Sequence, residues 1–159
     1  MKKITLTLII LFCLVGNSYA AGTSGSNTKS NYDQAVKLIK NEKKYEKKNK
    51  IKKANKRYEK ALKYLIKSNK EKPNKANTLN YLGFVTRKLG NYAEGEEYYL
   101  KGLLIEPNHK GINEYLGELY VVTGRIDLAK ERLAVLKNCN CDEYQKLNEV
   151  IKGTKKSKY

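Results

Sequence analysis

The sequence predicts an all-α protein: a short right-handed solenoid of antiparallel helix pairs, closed by a C-terminal capping helix. Three observations predict it. The chain repeats itself, so that Leu82-Gly83 falls on Leu116-Gly117 when it is shifted by 34 residues. Apolar residues within each repeat recur at helical spacing. Glycine and proline punctuate the repeats at matching places, Gly90 with Gly124 and Pro73 with Pro107. A period of this size marks stacked supersecondary units, because one unit alone cannot bury its apolar face.

The elements follow in order. Lys2 and Lys3, the apolar run Ile4 to Val15 and the small residues of Ser18-Tyr19-Ala20 form the three-part pattern of a secretory signal peptide over 1–20. The run is short for a membrane span, which needs about 20 residues. Phe12 stands where lipid attachment at Cys13 would require a small residue. The expected location is therefore periplasmic or secreted. Residues 21–30, rich in Gly, Ser, Thr and Asn, read as a flexible linker. A helix is expected from Asn31, an N-cap residue type, with Tyr32, Ala35, Val36, Leu38 and Ile39 on one side. The stretch from Asn41 to Lys56 is lysine-rich and offers little to a core.

Three repeat frames come next: 42–75, 76–109 and 110–143. In the last two, Tyr81 matches Tyr115 and Gly90 matches Gly124. Three series run through all three frames. They are Tyr58, Tyr92 and Ile126; Ala61, Gly95 and Ala129; and Leu65, Tyr99 and Leu133. The frame 42–75 is degenerate, with Asn49 and Lys56 in place of glycine. Glycine inside a helix costs about 1 kcal/mol relative to alanine, so Gly83 and Gly117 predict a close helix approach. Gly90 and Gly124 supply the positive φ that ends a first helix, and Pro73 and Pro107 stop a second one. A capping helix is expected over 142–152, with Leu147, Val150 and Ile151 as its apolar stripe. Residues 153–159 read as a basic disordered tail.

This pattern of small and large residues resembles the tetratricopeptide repeat (TPR), and the resemblance covers most of the chain after residue 20. It implies stacked helix pairs whose first helices line a concave, partner-binding groove. Carried over position by position, it implies a groove lined by Asn77, Asn80, Tyr81, Phe84, Arg87 and Lys88, then by Glu114, Tyr115, Glu118 and Val121. Asn80 and Glu114 should be neighbours, and Arg87 is in register to pair with Glu118. Amides can bond an extended backbone in both directions, aromatics offer rigid apolar area, and arginine forks onto carboxylates. Relatives that capture a C-terminal carboxylate use a basic lining, and Glu114 and Glu118 depart from it. The alternative is internal: Arg87 pairs with Glu118, and the tyrosines pack between helices.

Little points to catalysis. His109 is the one histidine, at a repeat junction, and is expected as an exposed turn or first-turn residue without an orienting partner. Phosphate loop, nucleophile elbow and paired-histidine patterns are missing, and no cofactor is implied. Cys139 and Cys141 leave three readings open: a tight disulfide, two free thiols or half of a metal site.

The chain carries 33 Lys+Arg against 16 Asp+Glu, a net charge of +17, or +15 once Lys2 and Lys3 are removed. Only four of these cations are arginines, and export separates the protein from most nucleic acid, so no nucleic-acid partner is expected. The expected partner is another protein or peptide. The lysines would alternatively hold the protein weakly to anionic lipid or wall polymer.

Overall fold

A computed structural model describes residues 29–46 and 50–157 of the chain. The expected signal peptide, Cys13 and most of the linker lie outside the described residues. Among those described there are seven helices and no strand: α1 (Asn31–Glu46), α2 (Ile51–Glu71), α3 (Ala76–Lys88), α4 (Tyr92–Ile105), α5 (Lys110–Val122), α6 (Ile126–Leu136) and α7 (Asp142–Ile151). None is long and apolar enough to cross a membrane. They pack as α1/α2, α3/α4 and α5/α6, with α7 against α5 and α6. Successive odd-numbered helices touch one another, whereas α2, α4 and α6 do not. The odd-numbered helices therefore form the tighter, concave layer of a curved stack.

Sequence sets the ends of these helices. Ser30 opens α1: its Oγ accepts from Asp33 N at 3.1 Å and donates to Asp33 Oδ2 at 2.6 Å. The cap is thus one residue earlier than Asn31, a serine side chain satisfying a first-turn N–H. Gly90 and Gly124 take φ of 93° and 76° after α3 and α5, as a left-handed stop requires. At the last helix, Cys141 holds the cap position and Asp142 enters the first turn, where a carboxylate complements the helix dipole.

The close approaches occur where the glycines stand. A Cβ on Gly83 would lie 2.9 Å from the Gly95 carbonyl oxygen and 2.6 Å from the Tyr99 ring, so α3 and α4 meet backbone to backbone. A Cβ on Gly117 would lie 2.5 Å from Leu147, so this glycine receives the capping helix. Leu65, Leu82, Tyr99, Leu116 and Leu147 are buried to within 1% around these contacts.

The first pair differs from the repeat frame. Lys56 stands where Gly90 and Gly124 end a first helix. Nothing stops the helix there, and α2 starts two turns ahead of Tyr58. Its partner is α1 from Asn31, so this pair spans 31–71 where the frame gave 42–75. Tyr58 consequently lies mid-helix and is buried, while Tyr92 and Ile126 open their helices and stay exposed. Leu133 is half-buried, unlike Leu65 and Tyr99, because only α7 follows its pair.

Candidate functional site

The concave layer brings an aromatic row together. Tyr32 of α1 meets Tyr81 of α3 edge-on at 5.8 Å. Tyr58 of α2 backs Phe84 at 6.1 Å, and Phe84 meets Tyr115 of α5 at 5.2 Å. Such pairs prefer edge or offset geometry because of the ring quadrupole. Tyr32, Tyr81 and Tyr115 remain half-buried, each with an accessible part. Burial raises the phenol pKa of Tyr81, and raises that of Tyr32 to about 12 with help from Tyr81 and Asp33. Tyr115 is raised chiefly by burial, then by Glu114, Tyr81 and Glu118, against the opposing pull of Arg87. All three are neutral phenols at ordinary pH. Lys88 places its Nζ 5.7 Å from the Tyr58 ring centre, within cation–π range.

The polar residues expected to line the groove divide into two groups. Asn77 is exposed, yet it is engaged with His109 Nε2 at 3.0 Å. Asn80, Arg87, Glu114 and Glu118 are buried, at 7%, 1%, 3% and 1% exposure. Arg87 donates to the Tyr115 carbonyl at 2.7 Å and meets Glu118 Oε2 at 3.5 Å. Its guanidinium also stands 5.9 Å from the Tyr115 ring centre. The internal alternative therefore describes Arg87 and Glu118: they form part of the floor rather than reaching into the groove. These side chains are enclosed where α3 faces α5, with Arg87 spanning the two helices to the Tyr115 carbonyl. The Asn80 amide lies against Gly111, one turn before Glu114 on α5.

His109 stands at the start of α5 but is not exposed. It is 9% exposed and caps α5, its Nδ1 accepting from Ile112 N at 3.1 Å. Nδ1 is thereby the acceptor, so Nε2 carries the proton and donates to Asn77 Oδ1. Nδ1 thus caps α5 itself, and Nε2 ties α5 to Asn77 of the preceding repeat. Asn113, fully buried, donates to the carbonyls of Pro107 and His109 at 3.0 and 3.1 Å. Arg125 forks onto Glu96 at 2.8 and 2.7 Å while its guanidinium lies 4.6 Å from the Tyr120 ring centre. Sequence reasoning missed these repeat-to-repeat ties. Their one visible signal was an Asn or Arg beside a turn.

Cys139 and Cys141 are joined as a disulfide in the turn between α6 and α7, with Asn140 between them at a φ of 44°. No cluster of His, Cys, Asp or Glu that could hold a metal is present among the described residues.

Of the stretch 153–159 read as a basic tail, residues 153–157 are described: 153–156 are exposed and Ser157 is half-buried. Gly153 turns the chain at a φ of 71°. Thr154 N and Oγ1 and Lys155 N all donate to the Glu149 carbonyl, at 3.0, 3.1 and 3.3 Å. Ser157 Oγ then reaches Glu118 Oε2 at 3.5 Å.

Stacked antiparallel helix pairs, glycine-mediated close approaches and an inner layer of first helices define a TPR-like solenoid. Solved structures of that fold are similar to it. The Yersinia enterocolitica type III secretion translocator chaperone SycD aligns at 15% identity and a TM-score of 0.53, over 82% of this chain and 86% of its own. PcrH, in complex with the chaperone-binding region of PopD, aligns at 16% identity and a TM-score of 0.52, over 77% and 88%. No protein-family model matches the sequence, and comparison with curated proteins gives no match.

Proposed function

We propose that the protein is a non-catalytic binding module of the cell envelope, holding an extended polypeptide in its concave groove as an adaptor or assembly factor. The aromatic row of Tyr32, Tyr81, Phe84 and Tyr115 carries this reading. It crosses three inner-layer helices, keeps accessible ring surface and has its charged neighbours tied into the floor. Rigid half-exposed aromatics bind side chains of an extended segment at low entropic cost. PcrH, of the same fold, is bound to a region of PopD, which supports a polypeptide as occupant.

A photo-crosslinking residue at position 81, compared with one at Leu104 on α4, tests the groove. Leu104 is 85% exposed. In the envelope fraction, adducts are expected from position 81 and not from 104; the reverse pattern would overturn the groove. The envelope location rests on the signal pattern of residues 1–20. N-terminal sequencing of exported protein should begin at Ala21, and a start at Met1 would count against export.

A second reading has its own observation. Lys52, Lys56, Lys60, Lys63 and Lys67 form an exposed stripe along α2, and Lys29, Lys37, Arg57 and Lys60 line a cleft between α1 and α2. This surface suits anionic lipid or wall polymer. Binding through it should fall steeply with salt, whereas groove binding should survive moderate salt.

A further inference from the structure

The outer layer carries a surface of its own. The 34-residue shift that relates the repeats also relates the buried sides of α2 and α4. Ala61, Leu65 and Ser68 are buried on one, and Gly95, Tyr99 and Gly102 on the other. Their outward positions therefore correspond as well. In the C-terminal halves of both helices, several of those positions are apolar. Ile66 is 51% exposed, its counterpart Leu100 is 44% exposed, and Leu104, one turn further on, is 85% exposed. Among the described residues, α2 and α4 pack only against inner-layer helices, so their outward sides are uncovered.

Lysines surround these apolar side chains. Lys63, Lys67 and Lys70 lie within about a turn of Ile66, and Lys101 follows Leu100; all four are exposed. Glu97 is the carboxylate among them, and Lys101 Nζ lies 3.6 Å from it. Scattered exposed leucines are ordinary. Apolar side chains set among cations are what an interfacial lipid site needs. The apolar groups enter the boundary of headgroups and acyl chains, while lysine stems lie along them and the ammoniums meet phosphate. A wall polymer offers charge but no apolar phase for Leu104. The same faces of two copies, α2 on α2, would set lysine against lysine.

We propose that the outward side of the C-terminal halves of α2 and α4 docks on an anionic lipid surface, with Ile66, Leu100 and Leu104 entering the headgroup region and the four lysines meeting lipid phosphates. The inference rests on the basic-surface reading, moves its centre from the α1–α2 cleft to the outer layer, and takes lipid over wall polymer. The groove lies on the opposite layer and stays open to a polypeptide.

The chain contains no tryptophan, so Leu104→Trp in the exported protein installs a single reporter. With vesicles of phosphatidylglycerol and brominated phosphatidylcholine, its emission should shift to the blue and be quenched. Phosphatidylcholine alone should leave it unchanged, and so should Ile51→Trp at the far end of α2 with either vesicle. In cosedimentation, Leu100→Ser with Leu104→Ser should weaken binding roughly tenfold or more, at low and at moderate salt. Lys63→Ser, Lys67→Ser and Lys70→Ser together should weaken it on the order of a hundredfold at low salt. An unquenched reporter, or undiminished binding by the leucine variant, would overturn the proposal. So would a blue shift that grows with protein concentration in the absence of vesicles, which would assign the patch to a second copy. Binding to a soluble polyanion that needs the lysines and ignores the leucines would assign it to wall polymer and leave the basic-surface reading standing. Indifference to both sets would strike that reading too.

Discussion

Gly83→Ala puts the backbone contact between α3 and α4 to a quantitative test. Alanine gains about 1 kcal/mol of helix propensity over glycine, so an open site would be stabilised. Here the new Cβ would meet two Tyr99 ring carbons at 2.6 and 2.7 Å and the Gly95 carbonyl oxygen at 2.9 Å. Tyr99 is fully buried and has no room to swing away, and the carbonyl belongs to a helix. Overpacking costs about 1–3 kcal/mol, and a clash with backbone belongs at the upper end. The net loss is then about 2 kcal/mol. At this chain length that corresponds to roughly 6–10 °C in Tm, interpolating known size scaling. Gly117→Ala is the internal comparison. Its Cβ meets only side-chain atoms of Leu147, on the last helix, which can shift, so its loss should be smaller, under about 1 kcal/mol after the same propensity gain. Thermal and urea unfolding followed by helical circular dichroism would measure both. An unchanged or raised Tm for Gly83→Ala would refute the close contact, and a larger loss at Gly117 would refute the backbone argument.

Three further outcomes can be measured. Arg87→Met strips Glu118 of its buried partner and the Tyr115 carbonyl of its donor; it should cost about 3–5 kcal/mol in urea unfolding, and a loss below about 1 kcal/mol would contradict the buried pair. His109→Ala removes the α5 cap and should cost about 1 kcal/mol, with His109→Asn recovering most of it; equal losses in the two would argue against capping. Tyr32 holds its proton to about pH 12 when folded, against 10.0 when unperturbed. Its contribution is present in full below pH 10 and is lost as pH rises to about 12, because the unfolded phenol ionises first. Tyr32→Phe should flatten the alkaline fall in stability over that window, and an unaltered slope would contradict its burial.

The repeat register was legible because it is local. Gly90, Gly124, Gly83 and Gly117 each announce a backbone requirement, and the 34-residue spacing multiplies the signal. The first pair was less legible because Lys56 removes that mark while α1 and α2 still find each other through Ala35, Ile39, Ala54 and Ala61. The concave residues were placed on the right helices, but their exposure was misjudged for Asn80 and Arg87. Burial there depends on how closely α3 and α5 approach, and a polar residue at a groove position looks the same in sequence whether it is floor or rim. His109 misled for a related reason. Its cap on Ile112 N is local, but its second partner is Asn77, 32 residues away, and no local pattern joins those two. In the tail, Lys155 and Lys156 are exposed as a lysine run implies, and only the reach of Ser157 to Glu118, 39 residues away, had no signal in the sequence.

The parity of the helix count has a topological consequence. With seven helices among the described residues, the array opens and closes on the inner layer: α1 and α7 are both concave-side helices. An even count would deliver the chain to the outer layer after a second helix, away from the binding surface. Here the first residue of α1 and the last of α7 both belong to inner-layer helices. A domain fused directly to either helix end would therefore start from the layer that lines the groove, and not from the outer one.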